Sequence, residues 1–400
     1  MTTSFSTSLR MRSTRTPPPD ILRYILLRLP VKSLLRLQSV CKEWRSLIQD
    51  SDFNHSYSHK ERLIVVSESS DTPRHAKLNR FIVSSVNQNF QLEKVYYFTE
   101  HLSLLNGTYF HRRHVLGSCN GLVLLSVDTH IFLWNPSTRH CIKVLEHECL
   151  KYSVRGFASG FCYDSSRGDY KAVLLLPHFV IVASLRQKEW RQVSFPYDLL
   201  SRRASLHFRN IFHLALNDVR FQDFRYSGCE KIVYFDPVSE KFEVLPTSKV
   251  KEGGINIIGA LGVIQGCLSM ALYENHTIEI LTMKEYGVAE SWVTLYTVSW
   301  LQLLVGSYCR VTFYSLKNNV LIWYWGERKI FVIDMMTKER QNVLGGIRDE
   351  NIVDTCLYVE SLASPHEYTW VYEQHKHFSK KIKWIQPTFE KMNEVEEGQQ

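Results

Sequence analysis

The sequence predicts an α+β multidomain chain: a small N-terminal helical segment, then an all-β propeller-like domain of six blades, or seven. Three observations predict it. Apolar residues recur at helical spacing near the N-terminus. From about Leu63 onward, short runs rich in Val, Ile, Phe, Tyr and Trp alternate with polar turns. Six of those turns centre near residues 87, 136, 187, 237, 286 and 336, and a period near fifty is the mark of repeated multi-strand units.

The first nineteen residues are Ser/Thr-rich, carry Arg10, Arg12 and Arg15, and hold no acid. They read as a disordered tail, over residues 1–16. Ile21, Leu22, Ile25, Leu26 and Leu29 follow at helical spacing, with Asp20 placed to cap the first turn. Pro30 ends this helix, because a proline pushes the preceding residue out of the α region. Val31, Leu34, Leu35 and Leu37 carry a second short helix, and Cys41, Trp44 and Ile48 share a face of a third. Three such helices cannot bury that much apolar surface among themselves. Either the rest of the chain covers it, or a partner's helices do.

The ordered run Pro18-x-Asp20-Ile21-Leu22, Ile25-Leu26-x-Arg28-Leu29-Pro30-Val31-Lys32-Ser33-Leu34-Leu35, Val40-Cys41-Lys42-x-Trp44 and Leu47-Ile48 resembles an F-box of the kind common in plants. It departs at the front, where the family has Leu-Pro and this chain has Pro17-Pro18. The resemblance implies docking on a Skp-family adaptor and, through it, on a cullin scaffold. The residues that would face the adaptor or form the F-box core are Pro18, Ile21, Leu22, Ile25, Leu26, Leu29, Pro30, Val31, Leu34, Leu35, Val40, Cys41, Trp44 and Leu47.

Each of the six turns joins two strand-like runs, as in Ile131–Trp134, Asn135-Pro136-Ser137-Thr138 and Cys141–Leu145. An internal echo supports the repeat: Gly117-Ser-Cys-Asn-Gly121 and Gly262-Val-Ile-Gln-Gly266 both precede apolar runs, about three periods apart. A four-stranded unit has two apolar faces, and a closed ring of units covers both while leaving only short edges. A seventh unit would come from residues 352–385. The competing arrangement is an open array of sheets. Gly117–Val123, Leu133-Trp134-Asn135-Pro136-Ser137-Thr138-Arg139, Gly160-Phe161-x-Tyr163-Asp164, Asp169–Val173 and Met283–Val288 with Glu290-Ser291-Trp292 resemble the plant F-box-associated domain, a relative of kelch propellers. The paired glycines of true kelch repeats are absent. Leu199 to Gly228 is the least typical segment, basic and suited to a long loop. The expected domains are thus a tail over 1–16, the F-box over 17–60, the propeller over 61–390 and a polar tail over 391–400.

Charge argues against nucleic acid as a partner. Of the formal +8, residues 1–50 hold nine Lys or Arg against three Asp or Glu, so the large domain is nearly neutral. A nucleic-acid binder shows a basic stripe with readers. The nine cysteines are scattered without CxxC pairs or zinc spacing, and Cys119, Cys162 and Cys267 read as small apolar strand residues in a reducing compartment. No run of 18 apolar residues suggests a membrane span.

No catalytic constellation stands out. Asp164 and Asp169 flank a Ser-Ser-Arg-Gly turn, which is turn chemistry before it is a carboxylate pair. His375 and His377 are two imidazoles without a third ligand. No catalytic, cofactor-binding or metal-binding residue is therefore assigned, and no cofactor is expected. The resemblance implies a non-catalytic substrate-recognition subunit of an SCF-type ubiquitin ligase, cytoplasmic or nuclear, whose propeller holds a target protein. The alternative is a propeller enzyme or carbohydrate-binding protein with a structural helical N-terminus. The Arg-rich stretch of Leu199 to Gly228 and the His111–His114 cluster are candidates for an acidic protein partner.

Overall fold

The computed structural model describes residues 18–57, 61–69, 81–86, 92–97, 113–152, 158–176, 178–197, 202–217, 229–247, 257–274, 277–299, 311–316, 319–324, 329–334, 340–342 and 350–368. The tails expected over 1–16 and 391–400 lie outside these residues, as do His375 and His377.

Four short helices come first: α1 (Pro19–Leu26), α2 (Val31–Leu37), α3 (Lys42–Gln49) and α4 (Ser51–Ser56). Pro18 is the N-cap of α1 and Pro19 its first residue, where a missing N–H costs nothing. Asp20 makes no capping bond. It sits in the first turn, where its charge faces the positive end of the helix dipole. The helix stops at Leu26, earlier than the apolar spacing implies. Arg28 and Leu29 bond back three residues, to Ile25 and Leu26, because the approach to Pro30 excludes another α turn. Cys41 lies outside α3 as its N-cap, and its Sγ accepts from the Trp44 N–H at 3.4 Å.

The remainder is built from four-stranded antiparallel units. The first contains β1 (Glu61–Ser69), β2 (Phe81–Val86) and β3 (Leu92–Tyr97). The second is β4 (Arg113–Cys119), β5 (Leu122–Val127), β6 (His130–Trp134) and β7 (Cys141–Glu146), followed by the single turn α5 (Cys149–Tyr152). The third is β8 (Ala158–Asp164), β9 (Asp169–Leu175), β10 (Val180–Ser184) and β11 (Trp190–Val193). The fourth is β12 (Arg202–Phe208), β13 (Ile211–Asn217), β14 (Cys229–Asp236) and β15 (Lys241–Leu245). The fifth is β16 (Ile257–Ile264), β17 (Cys267–Glu274), β18 (Thr277–Met283) and β19 (Trp292–Ser299). The sixth is β20 (Val311–Leu316), β21 (Asn319–Tyr324), β22 (Lys329–Asp334) and β23 (Arg340–Asn342).

The last described strand, β24 (Glu350–Val359), does not begin a seventh unit. It pairs antiparallel with β1, from Glu61 opposite Val359 to Ser69 opposite Glu350. The last described strand thus completes the first sheet, and the described residues hold six four-stranded units, the fifth and sixth joined into one sheet by parallel pairing of β16 with β20. Residues 369–385, the rest of the expected seventh unit, lie outside the described residues. First strands of successive units lie side by side: β24 by β4, β4 by β8, β8 by β12, β12 by β16 and β16 by β20. This is propeller-like architecture. Four of the six turns read from the sequence, near 136, 187, 237 and 286, join third and fourth strands; those near 87 and 336 lie outside the described residues. The segment 199–228 is described only in part. It supplies β12 and β13, whose Leu206, Phe208, Phe212 and Leu214 are buried, while residues 218–228 lie outside the described residues.

Sheet alternation explains the packing. In the third unit, Leu174, Ile181 and Ala183 face Leu122, Leu124 and Leu133 of the second. Their sequence neighbours Val173, Val180 and Val182 face Phe212, Leu214 and Val233 of the fourth. Every residue of β9 is buried, including Lys171. Such a strand needs neighbours on both faces. The echo Asn120-Gly121 and Gln265-Gly266 forms the tight turns β4–β5 and β16–β17. All four residues have positive φ, between 49° and 73°, the combination of a type I′ hairpin turn.

Candidate functional site

The helical segment has a small core of its own. Leu26, Val31, Leu34, Ile48, Phe53 and Tyr57 are buried together, with Leu22, Leu29, Leu35, Trp44 and Leu47 packed half-buried around them. Asp50 caps α4 by accepting from the N–H groups of Asp52 and Phe53 at 2.9 and 3.0 Å. Arg23 ties α1 to α4, donating to the Asp52 carbonyl at 3.0 Å and to Ser56 Oγ at 2.9 Å, with its guanidinium over the Phe53 ring. Tyr57 donates its hydroxyl to the Leu29 carbonyl at 2.7 Å. Burial, with help from Glu360, raises its phenol pKa well above the usual value.

The outer side of this unit is the notable feature. Ile21 is 52% exposed, Tyr24 56%, Ile25 47% and Val40 60%. Ile21, Tyr24 and Ile25 stand at i, i+3 and i+4 on α1, opposite the inward Leu22 and Leu26. A helix that is apolar on both sides is covered on both sides in its working state. Arg28 lies over the Tyr24 ring at 3.9 Å and also bonds its hydroxyl, so this aromatic is held in place on the surface.

The fourteen residues singled out from the sequence therefore divide. Leu26, Val31 and Leu34 are interior. Leu22, Leu29, Leu35, Cys41, Trp44 and Leu47 are half-buried. Pro18, Ile21, Ile25, Pro30 and Val40 are exposed. Tyr24, Phe53, Tyr57 and Leu362 were not legible as members. For Phe53 and Tyr57 a signal existed, since the pair is spaced i, i+4 just after a capping Asp50.

Elsewhere the polar residues do structural work. Asp164 Oδ1 accepts from the Ser166 N–H, the Ser166 hydroxyl and the Arg167 N–H, as its turn position implies. The same carboxylate pairs with buried Lys171 at 2.9 Å, and Lys171 also reaches Glu240 at 2.5 Å and the Pro237 carbonyl at 2.6 Å in the fourth unit. Burial pushes the Asp164 pKa up, but the Ser166 and Lys171 bonds outweigh it and hold it at about 2. Among the described residues no group of three or more His, Cys, Asp or Glu is placed to hold a metal. No described helix is long and apolar enough to cross a membrane.

The basic segments fall at two ends of the propeller. Strands β4 and β12 begin at Arg113 and Arg202, the end away from the β4–β5 and β12–β13 turns. Arg209 lies in the β12–β13 turn, over the Phe208 and Tyr286 rings, and so belongs to the opposite end. His111, Arg112 and residues 218–228 lie outside the described residues.

Comparison with known proteins agrees with this division. The family model described as F-box domain matches residues 18–56. The one described as F-box associated beta propeller domain matches residues 75–365. An F-box/kelch-repeat protein of Arabidopsis thaliana is 30% identical over 319 residues, covering 73% of this chain and 82% of the relative. The F-box protein CPR1 of Arabidopsis thaliana is 31% identical over 360 residues, covering 78% and 83%.

Proposed function

We propose a function whose premise is family membership: the chain belongs to the F-box proteins with an F-box associated β-propeller domain. It acts as the substrate-recognition subunit of an SCF-type ubiquitin ligase, in the cytoplasm or nucleus. The helical unit docks on a Skp-family adaptor, which links it to a cullin scaffold, and the propeller holds a target protein for ubiquitin transfer. The chain itself makes no bonds. It contributes effective concentration and orientation.

The observation that carries this reading is the exposed apolar face of Ile21, Tyr24, Ile25 and Val40 above a completed core. Fully burying one such side chain stabilises by about 1.5–3 kcal/mol, so four of them supply an interface centre. The adaptor-facing set is then Pro18, Ile21, Ile25, Pro30 and Val40, joined by Tyr24. The half-buried Leu22, Leu29, Leu35, Cys41, Trp44 and Leu47 frame it. Target binding falls to the propeller end away from the F-box, where the connections between units run.

Co-purification of the full chain with a recombinant Skp-family adaptor tests the reading. A stable complex that recruits a cullin supports it. An adaptor complex that excludes cullin reduces the chain to an adaptor partner outside any ligase. No adaptor binding leaves a propeller enzyme or carbohydrate-binding protein as the reading to pursue.

A further inference from the structure

The residues after β24 do something the family assignment leaves open. Glu360 to Tyr368 runs back across the second and third units and reaches the helical core. Asn135, fully buried in the β6–β7 turn, donates its Nδ2 hydrogens to the carbonyls of Ser361 at 3.1 Å and Ala363 at 2.7 Å. Its Oδ1 accepts from the N–H groups of Ser137 and Thr138, which keeps the amide aimed at the segment. Ser361 N–H donates to Ser137 Oγ at 3.3 Å.

The far end is equally held. Buried Tyr368 packs edge-on against Tyr170, and its carbonyl accepts from Lys188 Nζ at 2.5 Å. A Cβ on Gly121, whose φ is +73°, would come within 2.6 Å of the Val359 carbonyl and closer still to the Ser361 side chain. Between these anchors, Leu362 packs against the helical core of Leu26, Phe53 and Tyr57.

We infer that Glu360–Tyr368 is a strap that fixes the F-box to the propeller at one orientation, with Asn135 and Leu362 as positioning residues for ubiquitin transfer. The consequence for transfer rests on the ligase reading. The strap itself does not. A rigid joint sets the offset between bound target and conjugating enzyme, and reactions are sensitive to such placement. The fold-level logic is visible in the chain order: the strand that closes the ring is followed at once by the segment that grips the first domain.

The test uses the full chain, labelled with a fluorophore pair at the exposed Lys42 and Lys284. Asn135→Asp keeps the Oδ1 acceptor of the turn but replaces the two donors with an oxygen facing carbonyls. Leu362→Ser removes the apolar contact from a half-buried site. The wild type should give one narrow distance distribution, and each variant a distribution at least twofold broader, with adaptor capture within about twofold of wild type. With recombinant adaptor, cullin, RING protein and conjugating enzyme, wild-type self-modification should fall on few propeller lysines and spread to more in both variants. A broad wild-type distribution, or variants indistinguishable from wild type, overturns the strap. If wild type fails to bind adaptor, the ligase reading falls while the distance distributions still decide the strap.

Discussion

Trp190 of β11 donates its indole N–H to the backbone carbonyl of Glu146, the last residue of β7, over 3.0 Å. Trp292 of β19 repeats the relationship on Pro246, just past β15, at 3.2 Å. In both cases an outer-strand tryptophan fastens its unit to the end of the preceding one. Trp190→Phe and Trp292→Phe should each lower stability by about 0.5–1.5 kcal/mol, the net value of one hydrogen bond. Chemical denaturation of the full chain checks this, and a larger loss in either would mean that the indole packing dominates.

Lys171 is a second fastening of greater consequence. Its side chain is 2% exposed and bridges Asp164 and Glu240, the latter also paired with Arg191. Lys171→Met should destabilise by about 3–5 kcal/mol, because the buried Asp164 carboxylate loses its counter-charge while Glu240 keeps only the half-exposed Arg191. The denaturation midpoint of this variant measures it. Asp164, held at about 2, adds an acid limit. Its contribution is present above the unfolded value of 3.8 and is lost as pH falls from there toward 2.

Histidines set an earlier window. His207 Nε2 accepts from the Phe161 N–H at 3.0 Å, so its neutral form bridges the fourth and third units. His213 donates Nδ1–H to the Ile211 carbonyl at 3.1 Å and therefore accepts at Nε2 from the Tyr286 hydroxyl at 2.8 Å. Burial pushes them down to about 3 and about 4. The unfolded chain then binds protons first, and stability falls as pH drops below 6.5 toward those values. The slope is about 1.4 kcal/mol per pH unit for each group. Stability measured between pH 7 and 4 should decline, and His207→Gln should flatten part of the decline. A profile unchanged by that substitution contradicts the assignment.

What the sequence disclosed and what it hid follow one physical rule. The α1 stripe and the six hairpins are local, and period or turn chemistry marks them. The half-buried and buried members of the helical core were legible as a set, yet their division into inside and outside was not. Ile21 and Leu22 differ only in which side of one helix they occupy. The β24–β1 closure, the Lys171 cluster and the Asn135–Ala363 bond join residues far apart in the chain, and no local pattern announces them. Asn135 was visible as a turn residue, but its second task needed the strap. The basic stretch of 199–228 masked two strands because Arg202 and Arg203 open β12 with charge.

Tyr57 offers a check on the helical core that leaves its outer face untouched. Tyr57→Phe removes one bond to the Leu29 carbonyl and should cost about 1 kcal/mol of F-box stability. Hydrogen exchange of α1 and α4 amides should speed by about fivefold, with propeller amides unchanged.

The exposed face of α1 is the proposed adaptor surface. Calorimetric titration of a Skp-family adaptor into wild type and an Ile21→Asp, Ile25→Asp variant tests it most directly, with Lys42→Glu as a surface control and near-ultraviolet circular dichroism to confirm folding. The double variant should lose at least 100-fold in affinity, about 2.7 kcal/mol, with little change in the control. Equal affinity in wild type and the folded double variant would contradict the proposal.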